Sequence, residues 1–268
     1  MARTARLQTG KLIMQNPSRT KTTLSVIIVA KNESQNIADC IGSVPFASEI
    51  LVLDSGSEDD TAAQATAAGA TVHSTDWPGY GLQQTRGIEL ATGDWVLSLD
   101  ADERVSAELG TELLDAISNP RADGYRLPRS SSFCGQFIRA GGWVPDYTLR
   151  LVRRDAAGFT DHFLHAHMTV DGIRADLVNP IIHYSYRNID DVLDKLNRYS
   201  RGSALDLLNQ GVTSGLSKAL LKGFWAFFRS YFLRRGFLDG QMGLILAIFN
   251  AETTYYKYLR LHLQRRFP

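Results

Sequence analysis

Residues 24–30 read LSVIIVA. Apart from one serine the run is apolar, with β-branched Val and Ile at its centre. A strand that is apolar at consecutive positions, not alternate ones, is covered on both faces, and this is the mark of a parallel sheet set between helices. The residues that follow repeat the theme. KNESQNIADCIGSV (31–44) places Ile37, Cys40, Ile41 and Val44 at helical spacing, and EILVLD (49–54) is a second strand. SEDDTAAQATAAG (57–69) is a helix in which Ser57 is the expected N-cap, Asp60 stands three residues later as in a capping box, and Gly69 closes the end. ATVHS (70–74) is a third strand, YGLQQTRGIELATG (80–93) a helix ended by Gly93, DWVLSLD (94–100) a fourth strand and SAELGTELLDAIS (106–118) another helix.

Strand and helix therefore alternate to about residue 120, which predicts an α/β domain with a mostly parallel sheet flanked by helices. Such sheets bind ligands beyond the carboxyl ends of their strands. Three strands end there in Ala30-Lys31, Asp54 and Asp100-Ala101-Asp102. Strand alternation turns Asp100 and Asp102 the same way, towards one object, and turns Glu103 away from them or into the next turn. Two hard carboxylates suit Mg2+ or Mn2+ with phosphate oxygens completing the shell, and such a cation would neutralise a leaving diphosphate. Taken alone, the triplet is also an ordinary acidic turn. Asp54 can accept hydrogen bonds from a nucleoside, and Glu33 could meet the same nucleoside or serve as favourable charge at a helix start. Lys31 could pair a phosphate. Arg86, on the helix before the fourth strand, is placed to contact a donor or to lock Asp100 in an ion pair. No Gly-x-Gly-x-x-Gly follows the first strand and no phosphate loop is present, so a dinucleotide site is unsupported.

The 268 residues are 44% hydrophobic, enough for a sizeable core. The two cysteines, Cys40 and Cys134, make neither a disulfide framework nor a zinc spacing, in keeping with reduced thiols in a cytoplasmic setting. The net charge of +1 hides a division. Residues 1–23 carry +5, residues 24–213 carry −11 and residues 214–268 carry +7. The first 23 residues are polar and basic and read as a flexible lead-in, without the apolar stretch of a signal peptide. From Gly124 to about Tyr186 the pattern becomes irregular and predicts short strands and loops. Asn188 then caps a helix, with Asp191 at its third position, and Ile189, Val192, Leu193, Leu196, Tyr199, Ala204, Leu207 and Leu208 form an amphipathic stripe up to Gly211. Residues 214–268 are helical in period and mix their basic excess with Phe224, Trp225, Phe227, Phe228, Tyr231, Phe232 and Phe237. Bulky aromatics among Lys and Arg suit an amphipathic surface lying on anionic lipid. No run reaches the length of a membrane span, and no recognition motif for nucleic acid accompanies the charge.

Taken together, LSVIIVAKNE, ILVLDSGSEDDT, TRGIELATGDWVLSLDADE and GGWVPDYTLRLVRR resemble the family 2 glycosyltransferases with the GT-A fold, and within them the bacterial lipopolysaccharide-core β-glucosyltransferases. HYSY (183–186) and SYFLRRGFLDG (230–240) extend the likeness, which covers roughly residues 24–260. The resemblance implies a catalytic domain over 24–186, a C-terminal helical, membrane-associating region over 187–268, and an inverting transfer of a hexose from a nucleotide sugar. UDP-glucose is the implied donor, a heptose of the lipid A-core saccharide the acceptor, and the cytoplasmic face of the inner membrane the place. Asp54 and Glu33 fall on nucleoside-contacting positions, with Lys31, Arg86 and Asp100 also at the donor, and Asp100 and Asp102 fall on the metal–diphosphate motif. Asp146 falls where the superfamily has its late acidic base, since a carboxylate near the acceptor hydroxyl can take its proton. Arg150 and Arg153 are implied phosphate ligands or solvated surface groups. One departure stands out: relatives have His-Glu where this chain has His165-Ala166. The base must then be Asp146, Asp161 or His165, or the chain is impaired; His162 and His167 have no such positional support. Another sugar, a polyprenyl phosphate acceptor, a catalytically weak binding homologue and a nucleotidyltransferase are the rival readings.

Overall fold

The structure is a computed structural model that describes residues 22–159 and 168–266, with side chains to residue 264. The first half follows the expected alternation. It runs β1 (Leu24–Ala30), α1 (Ile37–Gly42), β2 (Glu49–Asp54), α2 (Thr61–Ala67), β3 (Thr71–Ser74), α3 (Tyr80–Leu90), β4 (Trp95–Asp100), β5 (Glu103–Arg104) and α4 (Ala107–Ser118). All seven residues of β1 are buried, as its unbroken apolar run requires. Leu24, Val26, Ile28 and Ala30 pack with residues of α1 and α4, including Ile37, Ile41, Leu109 and Leu113. Ile27 packs on the opposite face with Ile88 of α3. Buried Ser25 is satisfied: its hydroxyl donates to Glu49 at 2.6 Å and accepts the Gly93 N–H at 2.9 Å.

The strand order is β3-β2-β1-β4, all parallel, and the register sets the rim. Ala30 pairs with Asp54 across β1 and β2, while Val29 pairs with Asp100 across β1 and β4. The carboxyl ends of three strands thus finish at one level.

The middle of the chain departs from expectation. It continues with β6 (Gly124–Phe133), β7 (Gln136–Phe137), β8 (Tyr147–Arg153), β9 (Ala157–Phe159), β10 (Met168–Val170), β11 (Arg174–Asp176) and β12 (Ile181–Tyr186). The short strands β7, β9, β10 and β11 agree with the expected pattern, but β6 spans ten residues and β8 seven, and both extend the same sheet. The order runs on from β4 through β8, β6, β12 and β5. Because β8 is antiparallel to β4 and β6, the whole sheet is mixed. No apolar alternation advertised these strands because several inward positions hold charge: Arg150 of β8 is buried and Arg129 of β6 is half-buried, each with an acidic partner.

Helix α2 begins at Thr61, not after Ser57, and has no side-chain cap. Ser57 is used elsewhere: its hydroxyl donates to Asp54 and accepts the Asn32 N–H at 2.9 Å. The Asn188 cap is present, with its side-chain oxygen accepting the Asp191 N–H at 2.9 Å at the start of α5 (Ile189–Asn209). The predicted stripe of α5 splits. Val192, Leu196 and Ala204 are buried, whereas Ile189, Leu193 and Tyr199 are about half exposed. Helix α6 (Leu216–Phe228), a π-helical turn over Arg229–Leu233, a 3-10 turn over Gly236–Asp239 and α7 (Gly240–Arg266) complete the chain. Val192 and Leu196 of α5 share a core with Leu246 and Phe249 of α7, with Phe133 and Tyr186 from the sheet, and with Ile138 just after β7. Buried Asp239 fastens the helices to the sheet by accepting the N–H groups of Arg139 and Ala140, at 3.1 and 2.9 Å. Among the described residues no helix is long and apolar enough to cross a membrane.

Candidate active site

Strand β4 carries Asp100 to the rim, and a chain of charge begins there. The Asp100 carboxylate accepts Arg150 Nη2 at 2.7 Å on one oxygen and the Tyr80 hydroxyl at 2.8 Å on the other. The same Arg150 Nη2 lies 2.8 Å from Glu103 Oε1, and the second Glu103 oxygen accepts the Asp100 N–H at 3.0 Å. Glu103 is fully buried and Arg150 nearly so. Arg129 stands 3.8 Å from Glu103 and 2.6 Å from Asp146. Asp100, Arg150, Glu103, Arg129 and Asp146 therefore form one continuous network from the end of β4 to the start of β8.

Burial opposes the ionisation of Asp100, but Arg150 and then Tyr80 outweigh it and hold the carboxyl below the usual range. Burial raises Glu103 above its ordinary value, against the pull of Arg150. Burial likewise opposes the charge of Arg150, and Asp100 and Glu103 more than offset it. The Asp100 charge raises the Tyr80 hydroxyl well above its ordinary value, so Tyr80 remains a donor.

Asp102 follows in the turn between β4 and β5, and its carbonyl accepts the Tyr184 N–H at 2.9 Å. Its carboxylate lies 3.5 Å from His183 Nε2, while His183 Nδ1 is 2.9 Å from the Ser131 hydroxyl. If Nδ1 donates to Ser131, Nε2 is free to ligate a cation. On the far side of Asp102, burial raises Glu33, whose carboxylate accepts Asn36 Nδ2 at 2.7 Å, and the Asp102 charge raises it further. Burial lowers Lys195, which in turn interacts with both Asp102 and Glu33.

The remaining expected residues fall as follows. Asp54 is buried at the end of β2, with both carboxylate oxygens turned to Ser57. Lys31 is exposed at the end of β1. Asp146 is half-buried and takes both Arg129 contacts on Oδ2, leaving Oδ1 for other chemistry. Arg86 does not lock Asp100. It pairs with Asp76 at 2.6 Å and donates to Gln83, so its guanidinium is engaged away from Asp100. Glu103 is no bystander. The chain turns after Asp100, β5 starts antiparallel to β12, and the side chain is carried back into the sheet. Arg150 is neither solvated nor free for phosphate, being held between two acids. Arg153 lies at the opposite end of β4, paired with Asp123 and stacked on Trp95, and so is no donor ligand. Asp161, His162, His165, Ala166 and His167 lie outside the described residues. His183 and Tyr80 were not singled out for the site; the acid ends of β4 gave no local sign of partners far along the chain.

The donor chemistry fits a hard divalent cation: Asp100 and Asp102 lie two residues apart at the end of β4 and the turn after it, and the His183 imidazole stands 3.5 Å from the Asp102 carboxylate. Among the described residues no three His, Cys, Asp or Glu side chains already form a metal cage. Oxygens of a bound diphosphate would have to complete the shell. Asp102 is the freer ligand, since both Asp100 oxygens already accept protein donors.

The family model described as Glycosyl transferase family 2 matches residues 25–170. An uncharacterized glycosyltransferase of Rickettsia typhi is 31% identical over 252 residues, covering 89% of this chain and 85% of the relative. A lipopolysaccharide core biosynthesis glycosyltransferase of Rhizobium meliloti is 27% identical over 260 residues, covering 89% of this chain and 94% of the relative. Among solved structures, glucosyl-3-phosphoglycerate synthase from Mycobacterium tuberculosis, in complex with Mn2+, uridine diphosphate and glucosyl-3-phosphoglycerate, is 25% identical with a TM-score of 0.39. That match covers 50% of this chain and 58% of the solved one, a little over half its length.

Proposed function

The chain belongs to glycosyl transferase family 2 and is a nucleotide-sugar glycosyltransferase of GT-A-type fold; on that premise we propose that it moves a hexose, glucose from UDP-glucose, with inversion to a heptose of the lipopolysaccharide inner core. The observation that carries the reading is the rim itself: the register of three parallel strands puts Ala30, Asp54 and Asp100 at one level, with Asp102 and His183 beside them. Similarity over most of both chains to the lipopolysaccharide core enzyme supports the acceptor class.

In this account Asp54, Glu33 and Lys31 surround the nucleoside side of the donor, with Arg86 at its margin. Asp102, with His183 and Asp100, would hold Mg2+ or Mn2+, which would supply neutralisation of the charge on a leaving diphosphate. Arg150 and Tyr80 fix the Asp100 carboxylate, and Glu103 fixes Arg150, so the acid stays charged and oriented before the donor arrives. Asp146 Oδ1 takes the acceptor proton as the hydroxyl attacks the anomeric carbon, and Arg129 holds the carboxylate at its angle through Oδ2. His165 is the alternative base.

The C-terminal helices bring the enzyme to its acceptor. Leu221 and Phe224 of α6 are 68% and 69% exposed, and Trp225, Phe232, Leu233 and Leu238 are also exposed. Lys218, Lys222 and Arg235 lie among them. Apolar groups that enter the headgroup boundary, ringed by cations, complement an anionic lipid surface. We place the enzyme at the cytoplasmic face of the inner membrane on that basis.

The test is a panel of nucleotide sugars with Mg2+ or Mn2+ and lipid A-core acceptors truncated at successive sugars, read by nucleoside diphosphate release and product mass. Transfer from UDP-glucose to an acceptor that ends in heptose is expected. Absence of transfer with every donor, from protein that still binds nucleotide, would sink the proposal.

A further inference from the structure

Between the turn at residues 140–143 and the C-terminal helices lies a cavity of about 430 Å3, lined by Trp143, Tyr186, Tyr199, Phe249, Arg229 and Arg234 among others. Trp143 and Tyr186 stack with ring centroids 5.8 Å apart, and Phe249 meets Tyr186 edge-on at 5.5 Å. The turn is bonded to the helices: the Gly141 N–H donates to the Arg234 carbonyl at 2.9 Å, and the Ser230 hydroxyl donates to the Gly141 carbonyl at 3.0 Å. Gly142 has φ +93°, and a Cβ there would overlap the Arg234 guanidinium, so the glycine is what lets that arginine lie across the turn.

Two features point to an anionic occupant. Both arginines are exposed, and among the described residues neither the Arg229 nor the Arg234 side chain has an ion-pair or hydrogen-bond partner. Residues 214–268 contain just two acids, Asp239 and Glu252. Asp239 is spent on the N–H groups of Arg139 and Ala140, and Glu252 lines a separate groove with Leu220, Phe224 and Tyr255. Two guanidinium groups and the Thr254 hydroxyl offer donors to an oxyanion, and Trp143 and Tyr186 offer ring surfaces to a sugar. The volume lies within the range of small-molecule sites.

Two of the lining residues lie close along the chain to residues of the rim. Trp143 precedes Asp146 by three residues and Tyr186 follows His183 by three. Lys195 touches both regions: its Nζ sits 4.3 Å from the ring centre of Tyr186, and its charge interacts with Asp102 and Glu33. We propose that this cavity is an acceptor subsite for a saccharide that bears a phosphate, with Arg229 and Arg234 on the phosphate and Trp143 and Tyr186 against the ring. The inference rests on the transferase reading above.

The test titrates the full chain with glucose 6-phosphate, glucose and inorganic phosphate by ligand-observed NMR, and with phosphatidylglycerol vesicles by co-sedimentation. The same series is run on a variant combining Arg229→Ala and Arg234→Ala, and UDP with Mg2+ is titrated into both proteins. The parent is expected to bind glucose 6-phosphate more tightly than glucose or inorganic phosphate. The variant should lose about ten-fold or more of that affinity, the scale of charge-assisted hydrogen bonds, while its UDP affinity is kept. Three results overturn the subsite with the transferase reading intact, provided UDP still binds: no binding of glucose 6-phosphate to the parent, equal binding to parent and variant, or a loss seen with the vesicles alone, which would assign the arginines to lipid. Failure of UDP to bind the parent would remove the transferase reading, and the subsite with it.

Discussion

Neutralising Glu103 should loosen the rim without touching any group that meets substrate. In Glu103→Gln the side chain keeps its shape, so the effect is electrostatic. The parent carboxylate accepts Arg150 at 2.8 Å on one oxygen and the Asp100 N–H at 3.0 Å on the other. An amide can accept only one of these, and its NH2 must face the other donor. Neutralising one partner of a buried ion pair costs about 3–5 kcal/mol. Arg150 keeps Asp100 at 2.7 Å, which puts the expected loss near the lower end, about 3 kcal/mol. At roughly 2–4 °C per kcal/mol for a chain of this size, the melting temperature should fall by about 6–12 °C. The assay is urea and thermal unfolding, with UDP affinity measured in parallel below the transition. UDP binding should weaken as well, because Arg150 and Asp100 lose their fixed position. A variant within about 1 kcal/mol of the parent, with unchanged UDP affinity, would refute the claim that buried charge holds the rim.

Three further outcomes follow from the same geometry. Asp146→Asn should lower turnover by about a hundred-fold or more with UDP affinity unchanged, the range of a general base; turnover within a few-fold of the parent, in steady-state kinetics, would remove Asp146 from the chemistry. Because the folded-state pKa of Asp100 is depressed, its stabilising contribution is present above the unfolded value of about 3.9 and is lost as pH falls through the depressed folded value. Asp100→Asn should therefore be less stable than the parent near neutral pH, with the gap closing as pH drops below about 4; a gap that is constant in urea melts from pH 7 downwards contradicts this. Lys218→Glu with Lys222→Glu should cut binding to phosphatidylglycerol vesicles by about ten-fold or more at low salt, at about 1 kcal/mol per lost cation, with UDP release from a soluble acceptor unaffected; co-sedimentation equal to the parent would argue against the α6 surface.

The parallel half of the fold was legible because its signals are local. Seven consecutive buried residues in β1, helical spacing in α1 and the Asn188 cap each show within a dozen positions. The rim acids Asp54, Asp100 and Asp102 were legible for the same reason, as strand ends. The partners of those acids were not. Arg150 reaches Asp100 from 50 residues away and His183 reaches Asp102 from another strand altogether. Neither pairing has a local pattern, and both depend on β8 and β12 entering the sheet beside the rim. Strand alternation misplaced Glu103 because it assumes that β4 continues, whereas the chain turns at Ala101-Asp102 and starts β5 against β12. Ser57 has the chemistry of a helix cap, but the nearer Asp54 carboxylate and the Asn32 N–H claim its hydroxyl first.

The central claim, that Asp102 and its neighbours hold a cation against the diphosphate of a nucleotide sugar, is tested most directly by calorimetric titration of UDP into the parent and into Asp102→Ala, with Mg2+ or Mn2+ and with chelator. The parent should bind UDP tightly only when the cation is present, and the folded Asp102→Ala variant should show the weak, cation-independent binding of the chelated parent. UDP affinity that is the same in all these conditions would contradict it.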